Sequence, residues 1–233
     1  MTPFVAELIG TMLLILLGNG VVANVLLKKT AGHDGGWIVI TAGWGLAVFV
    51  AVFVSQDFSG AHLNPAVSVG LAAAGKFAWD LLPTYVAAQF LGAAIGMTLV
   101  WLMYKDHYAA TKDHGAKLST FCTGPAINNP LINTLTELIG TFVLVFAVLF
   151  MTGPEFTAAA APVPVGLLVF GIGLSLGGPT GYAINPARDL APRIMHQILP
   201  IPNKGDSNWS YSWVPVVGPV LGGLAAAFLF LVL

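Results

Sequence analysis

The chain has 233 residues, 57% of them hydrophobic and only 8% charged, with a mean hydropathy of +0.85. A soluble domain carries about 25% charged residues, so this chain cannot coat a water-facing surface. Its net charge of −1 and single cysteine also exclude a nucleic-acid-binding face and a disulfide scaffold. An integral membrane protein remains.

In chain order, residues 4–27 are apolar apart from Glu7 and end at Lys28 and Lys29. Residues 37–54 carry no charge, and residues 81–104 lie between Asp80 and Lys105. Residues 131–152 contain one charge, Glu137, and residues 158–176 contain none. Pro162 and Pro164 place the start of that fifth helix near them. Residues 213–233 are uncharged, with Tyr211 and Trp213 suited to a headgroup belt. At about 20 residues per crossing, these are six transmembrane helices.

Two further apolar pieces, residues 64–75 and 185–199, are too short to cross and read as re-entrant. Both begin with the same tripeptide, Asn64-Pro65-Ala66 and Asn185-Pro186-Ala187. Residues 6–11 and 136–141 also match, both carrying Glu-Leu-Ile-Gly-Thr after a small residue. A duplicated chain follows: one channel domain over 1–233, with repeat one at 1–104, a connector at 105–130 and repeat two at 131–233. Three spans per repeat invert the second copy, and matching interrupted segments in inverted repeats point to a site at the membrane midplane. The repeat spacings differ by nine residues, which we assign to a longer first loop at 28–36.

Asparagine is a favoured helix N-cap and proline suits the first helical position. The side-chain oxygen of Asn64 or Asn185 accepts from its own helix, leaving two amide donors that hydrocarbon cannot satisfy. Those donors must face a water-filled cavity or a solute. Each helix N-terminus carries about +0.5 charge, so two half-helices meeting tip to tip repel cations and admit neutral molecules with an oxygen acceptor. Arg188 follows the second tripeptide closely; so deep a guanidinium costs at least ~2.5–3.5 kcal/mol and marks a functional position. Its fixed donors can bind two hydroxyls at one narrow point.

Through Ser59-Gly60-Ala61-His62-Leu63-Asn64-Pro65-Ala66-Val67 and Gly181-Tyr182-Ala183-Ile184-Asn185-Pro186-Ala187-Arg188-Asp189, the chain resembles the aquaporin superfamily over essentially its whole length. The resemblance implies an all-α fold of six transmembrane helices and two re-entrant half-helices, as a homotetramer with one passive pore per subunit. It implies a multi-pass protein of the cell membrane with cytoplasmic termini. It also implies an outer selectivity filter of Trp44, Gly173, Tyr182 and Arg188, placed by spacing from the two tripeptides. Water-selective members usually carry histidine where this chain has Gly173, so the sequence is similar to the glycerol-facilitator branch, as are Asp189 and Arg193. Tyr182 departs from that branch, which usually has phenylalanine there; the extra hydroxyl admits dihydroxyacetone, urea or undissociated lactic acid as further cargo. The family implies an acceptor ladder from the carbonyls of Gly60, Ala61, His62, Gly181, Tyr182 and Ala183. In it Glu7 and Glu137 hold the re-entrant loops, and His62 packs behind its loop rather than binding metal. No cofactor or nucleic-acid partner is expected; the partners are glycerol, water and the lipid bilayer.

Two other readings stand beside this one. A proton-coupled carrier would use Glu7 or Glu137 as its relay, and a water-only pore would exclude polyols. An enzyme is not expected, because no Ser/His/Asp or paired His/Glu set lies at one membrane depth. Orientation is contested by charge: cytoplasmic termini put Lys28, Lys29, Lys105, Lys112, Lys117 and Lys204 outside, against the positive-inside rule.

Overall fold

A computed structural model describes residues 1–151 and 162–233. The expected fifth span, 158–176, begins outside the described residues, as does the last residue of the expected fourth span, 131–152. Repeat one consists of α1 (Pro3–Leu26), α2 (Trp37–Ser59), the short α3 (Pro65–Ala73) and α4 (Leu82–Met103). The connector holds α5 (Lys105–Ala110) and α6 (His114–Ser119). Repeat two consists of α7 (Pro130–Met151), α8 (Pro162–Leu176), the short α9 (Pro186–Ile198) and α10 (Val214–Val232). Among the described residues, five helices are long and apolar enough to cross a membrane. Of the sixth, α8, the described residues show 15, Pro162–Leu176.

The local chemistry sets these ends. Thr2 caps α1 by accepting from the Val5 N–H, with Pro3 at the first position. The second helix was expected to stop at Val54 but continues through Asp57 to Ser59. It halts where Gly60 adopts φ +78°, a left-handed cap that glycine takes without a Cβ clash. Hydropathy alone ended the span early because Gln56 and Asp57 dilute it. The connector, expected as a simple link, instead folds two single-turn helices, the second capped by Asp113 accepting from Ala116 N–H at 3.0 Å.

Lipid tails are as apolar as leucine, so helices associate in the membrane by close van der Waals packing rather than by hydrophobic burial. In repeat one α1 packs on α2 and α4; in repeat two α7 packs on α10 and α8, and α2 against α8 joins the two. The closest approaches recur in register. A Cβ on Gly92 would strike the Leu8 carbonyl, and one on Gly222 would strike the Leu138 carbonyl. Each half-helix packs on the last span of the other repeat, α3 on α10 and α9 on α4. The repeats thus lock by exchanging their half-helices. Leu46, Phe53, Leu102, Leu131, Leu167 and Phe228 are exposed and suit an outer surface facing acyl chains.

One buried ion pair ties α9 to the loops above it. Arg193 donates from Nε and Nη2 to Asp189 Oδ1 at 3.0 and 2.7 Å. It also donates to the carbonyls of Thr123 and Ser207 at 2.9 and 2.8 Å. Asp189 Oδ2 in turn accepts from the Thr123 N–H and hydroxyl, both at 2.7 Å. Removing one member of such a pair strands the other charge and costs about 3–5 kcal/mol. Arg193→Ala is therefore expected to lower the thermal midpoint in detergent steeply; an unchanged midpoint would show that α9 is anchored by other contacts.

Candidate functional site

The site begins with two caps. Asn64 Oδ1 accepts from Ala66 N–H at 2.9 Å, and Asn185 Oδ1 accepts from the N–H groups of Ala187 and Arg188 at 3.0 and 3.1 Å. Their amide groups then cross between repeats. Asn64 Nδ2 donates to the Ile184 carbonyl at 2.7 Å, and Asn185 Nδ2 donates to the Leu63 carbonyl at 2.8 Å. The expectation that both amide donors stay open is therefore corrected: each asparagine gives one to the opposite loop and keeps one. The reciprocal pair joins the tips of α3 and α9.

The loops before the caps have matching backbones. Gly60, Ala61 and Leu63 have φ of +78°, +52° and +53°; Gly181, Tyr182 and Ile184 have +79°, +40° and +44°. For the four that are not glycine, this left-handed conformation costs roughly 1–2 kcal/mol each. Buried carboxyl groups hold it. Glu7 Oε1 accepts from His62 N–H and the Ser59 hydroxyl at 2.9 and 2.7 Å, and its Oε2 from Leu63 N–H and Gln89 Nε2, both at 2.7 Å. Glu137 accepts from Ala183 N–H at 3.0 Å and Ile184 N–H at 2.7 Å. Hydrogen bonds to such a group are worth about 1.5–3 kcal/mol each, enough to offset the strain. The His62 ring lies against Phe77 and Tyr85, with Nδ1 3.0 Å from the Ser68 hydroxyl.

These elements enclose a cavity of about 170 Å³. Gly60, Ala61, His62, Asn64, Ala183, Asn185 and Arg188 line it, and Leu14, Val48, Val52, Leu144, Val148 and Val169 supply apolar lining. Trp44 and Tyr182 also line it. The Arg188 guanidinium carbon sits 4.2 Å from the centre of the Trp44 ring, a cation–π contact. Arg188 is buried, and its Nη1 has no partner; neither has the Tyr182 hydroxyl. Buried donors left unpaired are rare and costly, and both residues belong to the cavity lining.

Gly173 and Gly181 do not line the cavity. Gly173 lies behind Tyr182: a Cβ there would come 2.8 Å from Thr41 Cγ2 and 2.9 Å from Tyr182 Cζ. The tripeptide residues Pro65, Ala66, Pro186 and Ala187 are buried behind their caps. Neither carboxyl group lines the cavity either. Sequence reasoning passed over Gln89, which braces Glu7, and Leu63 and Ile184, whose carbonyls receive the crossing amides. A lone amide inside the apolar stretch of α4 was the available signal for Gln89.

A family model described as major intrinsic protein matches residues 1–230. The glycerol uptake facilitator protein of Streptococcus pneumoniae is 56% identical over 230 residues, covering 99% of this chain and 98% of that one. The D/L-lactic acid transporter of Lactiplantibacillus plantarum is 40% identical over 228 residues, covering 96% and 94%. Among solved structures, the aquaglyceroporin from Plasmodium falciparum aligns with a TM-score of 0.86 at 33% identity, covering 97% of this chain and 93% of that one.

Because the crossing pair sits where two electropositive helix ends meet, Asn185→Asp both removes a donor and adds negative charge. Cation conductance across planar bilayers is expected to appear in Asn185→Asp and to be absent from the unmodified protein. Silence in both would show that cations are excluded elsewhere.

Proposed function

The chain belongs to the major intrinsic protein family, and from that premise we propose a passive channel for glycerol and other small uncharged polyols, with water. The observation that carries this reading is the presence, in one cavity lining, of two aromatic side chains and an arginine whose Nη1 has no partner. A polyol has a carbon edge and a hydroxyl edge. Trp44 and Tyr182 offer apolar surface to the first, while Arg188 and the loop carbonyls bond the second. The carbonyls of Gly60, Ala61, His62, Gly181, Tyr182 and Ala183 supply successive acceptors of moderate strength, so solute enters and also leaves. The free amide donors of Asn64 and Asn185 orient the solute at the midplane, and the helix ends behind them exclude cations and protons.

The assembly we propose is a homotetramer with a pore in each subunit, with both termini cytoplasmic. That orientation places most lysines outside, and three of them serve the fold there. Lys117 donates to the carbonyls of Pro202 and Asn203, Lys204 to those of Gln197 and Leu199, and the Lys28 ammonium lies 2.8 Å from His33 Nε2. External labelling of either terminus in intact cells would reverse the assignment.

The unpartnered Tyr182 hydroxyl favours a second cargo, undissociated lactic acid, which has both a hydroxyl and a carboxyl to bond. The likeness to a lactic acid transporter supports it. Its flux is expected to fall as pH rises and the acid ionises; a flux independent of pH would remove lactic acid from the cargo.

Glycerol-driven reswelling of vesicles tests the main reading. Rapid reswelling is expected from the unmodified protein, and water flow without it would indicate a water-only pore. Gly173→His is expected to change glycerol flux more than water flux, because any side chain there must displace the Tyr182 ring. Arg188→Ala is expected to loosen discrimination among neutral solutes; unchanged ratios would place the filter elsewhere.

A further inference from the structure

We infer that Trp37, which lies outside the cavity lining, sets the aperture of the outer filter by holding the Tyr182 ring in place. The inference rests on the filter reading above and extends it to a residue that need not touch solute. Trp37 is the first residue of α2 and is 40% exposed. Its indole Nε1 donates to the Gly173 carbonyl at 3.0 Å, in the last turn of α8. The carbonyls of a helix's last turn lack helical partners, so this bond caps α8 from another element. The same indole meets the Tyr182 ring edge-on, with centroids 5.7 Å apart and planes at 83°.

Two glycines complete the seat. Gly173 and Gly177 stand four residues apart, one turn of helix. A Cβ on Gly173 would come within 3.0 Å of the Tyr182 hydroxyl oxygen, and a Cβ on Gly177 would strike Tyr182 Cδ1 and lie 2.9 Å from Trp37 Cζ2. The Tyr182 ring therefore lies in a trough on the end of α8, with Trp37 closing one wall. The backbone of Tyr182 is strained at φ +40°, and its hydroxyl has no hydrogen bond. Packing alone holds the ring. Trp37 makes both a directed hydrogen bond to the trough and an aromatic contact to its occupant, so it is a positioning residue for the filter.

The test is the flux ratio of a four-carbon polyol to glycerol, in vesicles with the amount of inserted protein measured. A purely structural loss lowers both fluxes together and leaves the ratio alone. Trp37→Ala is expected to raise the ratio roughly two- to tenfold, the range that an edge-on aromatic pair represents. Trp37→Phe keeps a ring and loses the N–H, so a smaller rise is expected; it carries the same test if the alanine variant does not reach the membrane. In a Tyr182→Ala background, Trp37→Ala is expected to add nothing, because residues that act through one another are not additive. A ratio that Tyr182→Ala changes but Trp37→Ala does not would overturn the inference and leave the filter standing. An equal effect of Trp37→Ala with and without Tyr182 would also overturn it. A ratio unmoved by either substitution would overturn the filter reading itself.

Discussion

Inside a bilayer no water reaches the backbone, so each peptide N–H and C=O must find a partner in the protein or line a wet cavity. Two stretches of this chain, residues 60–64 and 181–185, leave the helical state between helices, each partly buried. Everything else in the fold serves to make that permissible. Glu7 and Glu137 take the loop N–H groups. Asn64 and Asn185 donate to the Ile184 and Leu63 carbonyls, respectively, of the opposite loop. Among the loop residues, Gly60, Ala61, His62 and Ala183 line a cavity.

The same arrangement accounts for the kind of solute admitted. Two helix N-termini joined at their tips bring together about half a positive charge each, and the buried guanidinium of Arg188 adds a third source beside Trp44. A cation meets repulsion at both points and has little compensating carboxylate, because both glutamates face backbone donors away from the lumen. That occupancy also argues against the proton-coupled carrier. Glu7 accepts four hydrogen bonds, and a proton relay would have to give up the bonds that keep a strained loop in shape.

The sequence made the helical scaffold legible, together with the pairing of the repeats. Long uncharged runs named the spans, and a tripeptide repeated in equivalent positions named the half-helices, because asparagine-proline has one local meaning at a helix start. Trp44, Tyr182 and Arg188 were found by spacing from those tripeptides, and the fold places them around one lumen. What remained hidden depends on pairs distant in sequence. The crossing amides join residues 120 and 122 positions apart, so no local pattern records them. Gly173 was expected as a filter member for the side chain it lacks; the fold puts it beneath Tyr182, where its missing Cβ makes room for that ring. The uncharged run 37–54 ended the second span early, yet α2 runs past Asp57 because a left-handed glycine, not a charge, ends the helix. The connector helices stayed unseen because single turns carry no usable periodicity.

The central claim is that neutral solute passes down its own gradient between two reciprocally bonded half-helices, without coupling to any ion. Its most direct measurement is the steady-state glycerol concentration inside sealed vesicles holding the purified protein under an imposed proton gradient. The account predicts equal concentrations on the two sides, reached fast and unaffected by the sign of the gradient. Glycerol accumulated above the external concentration would contradict it.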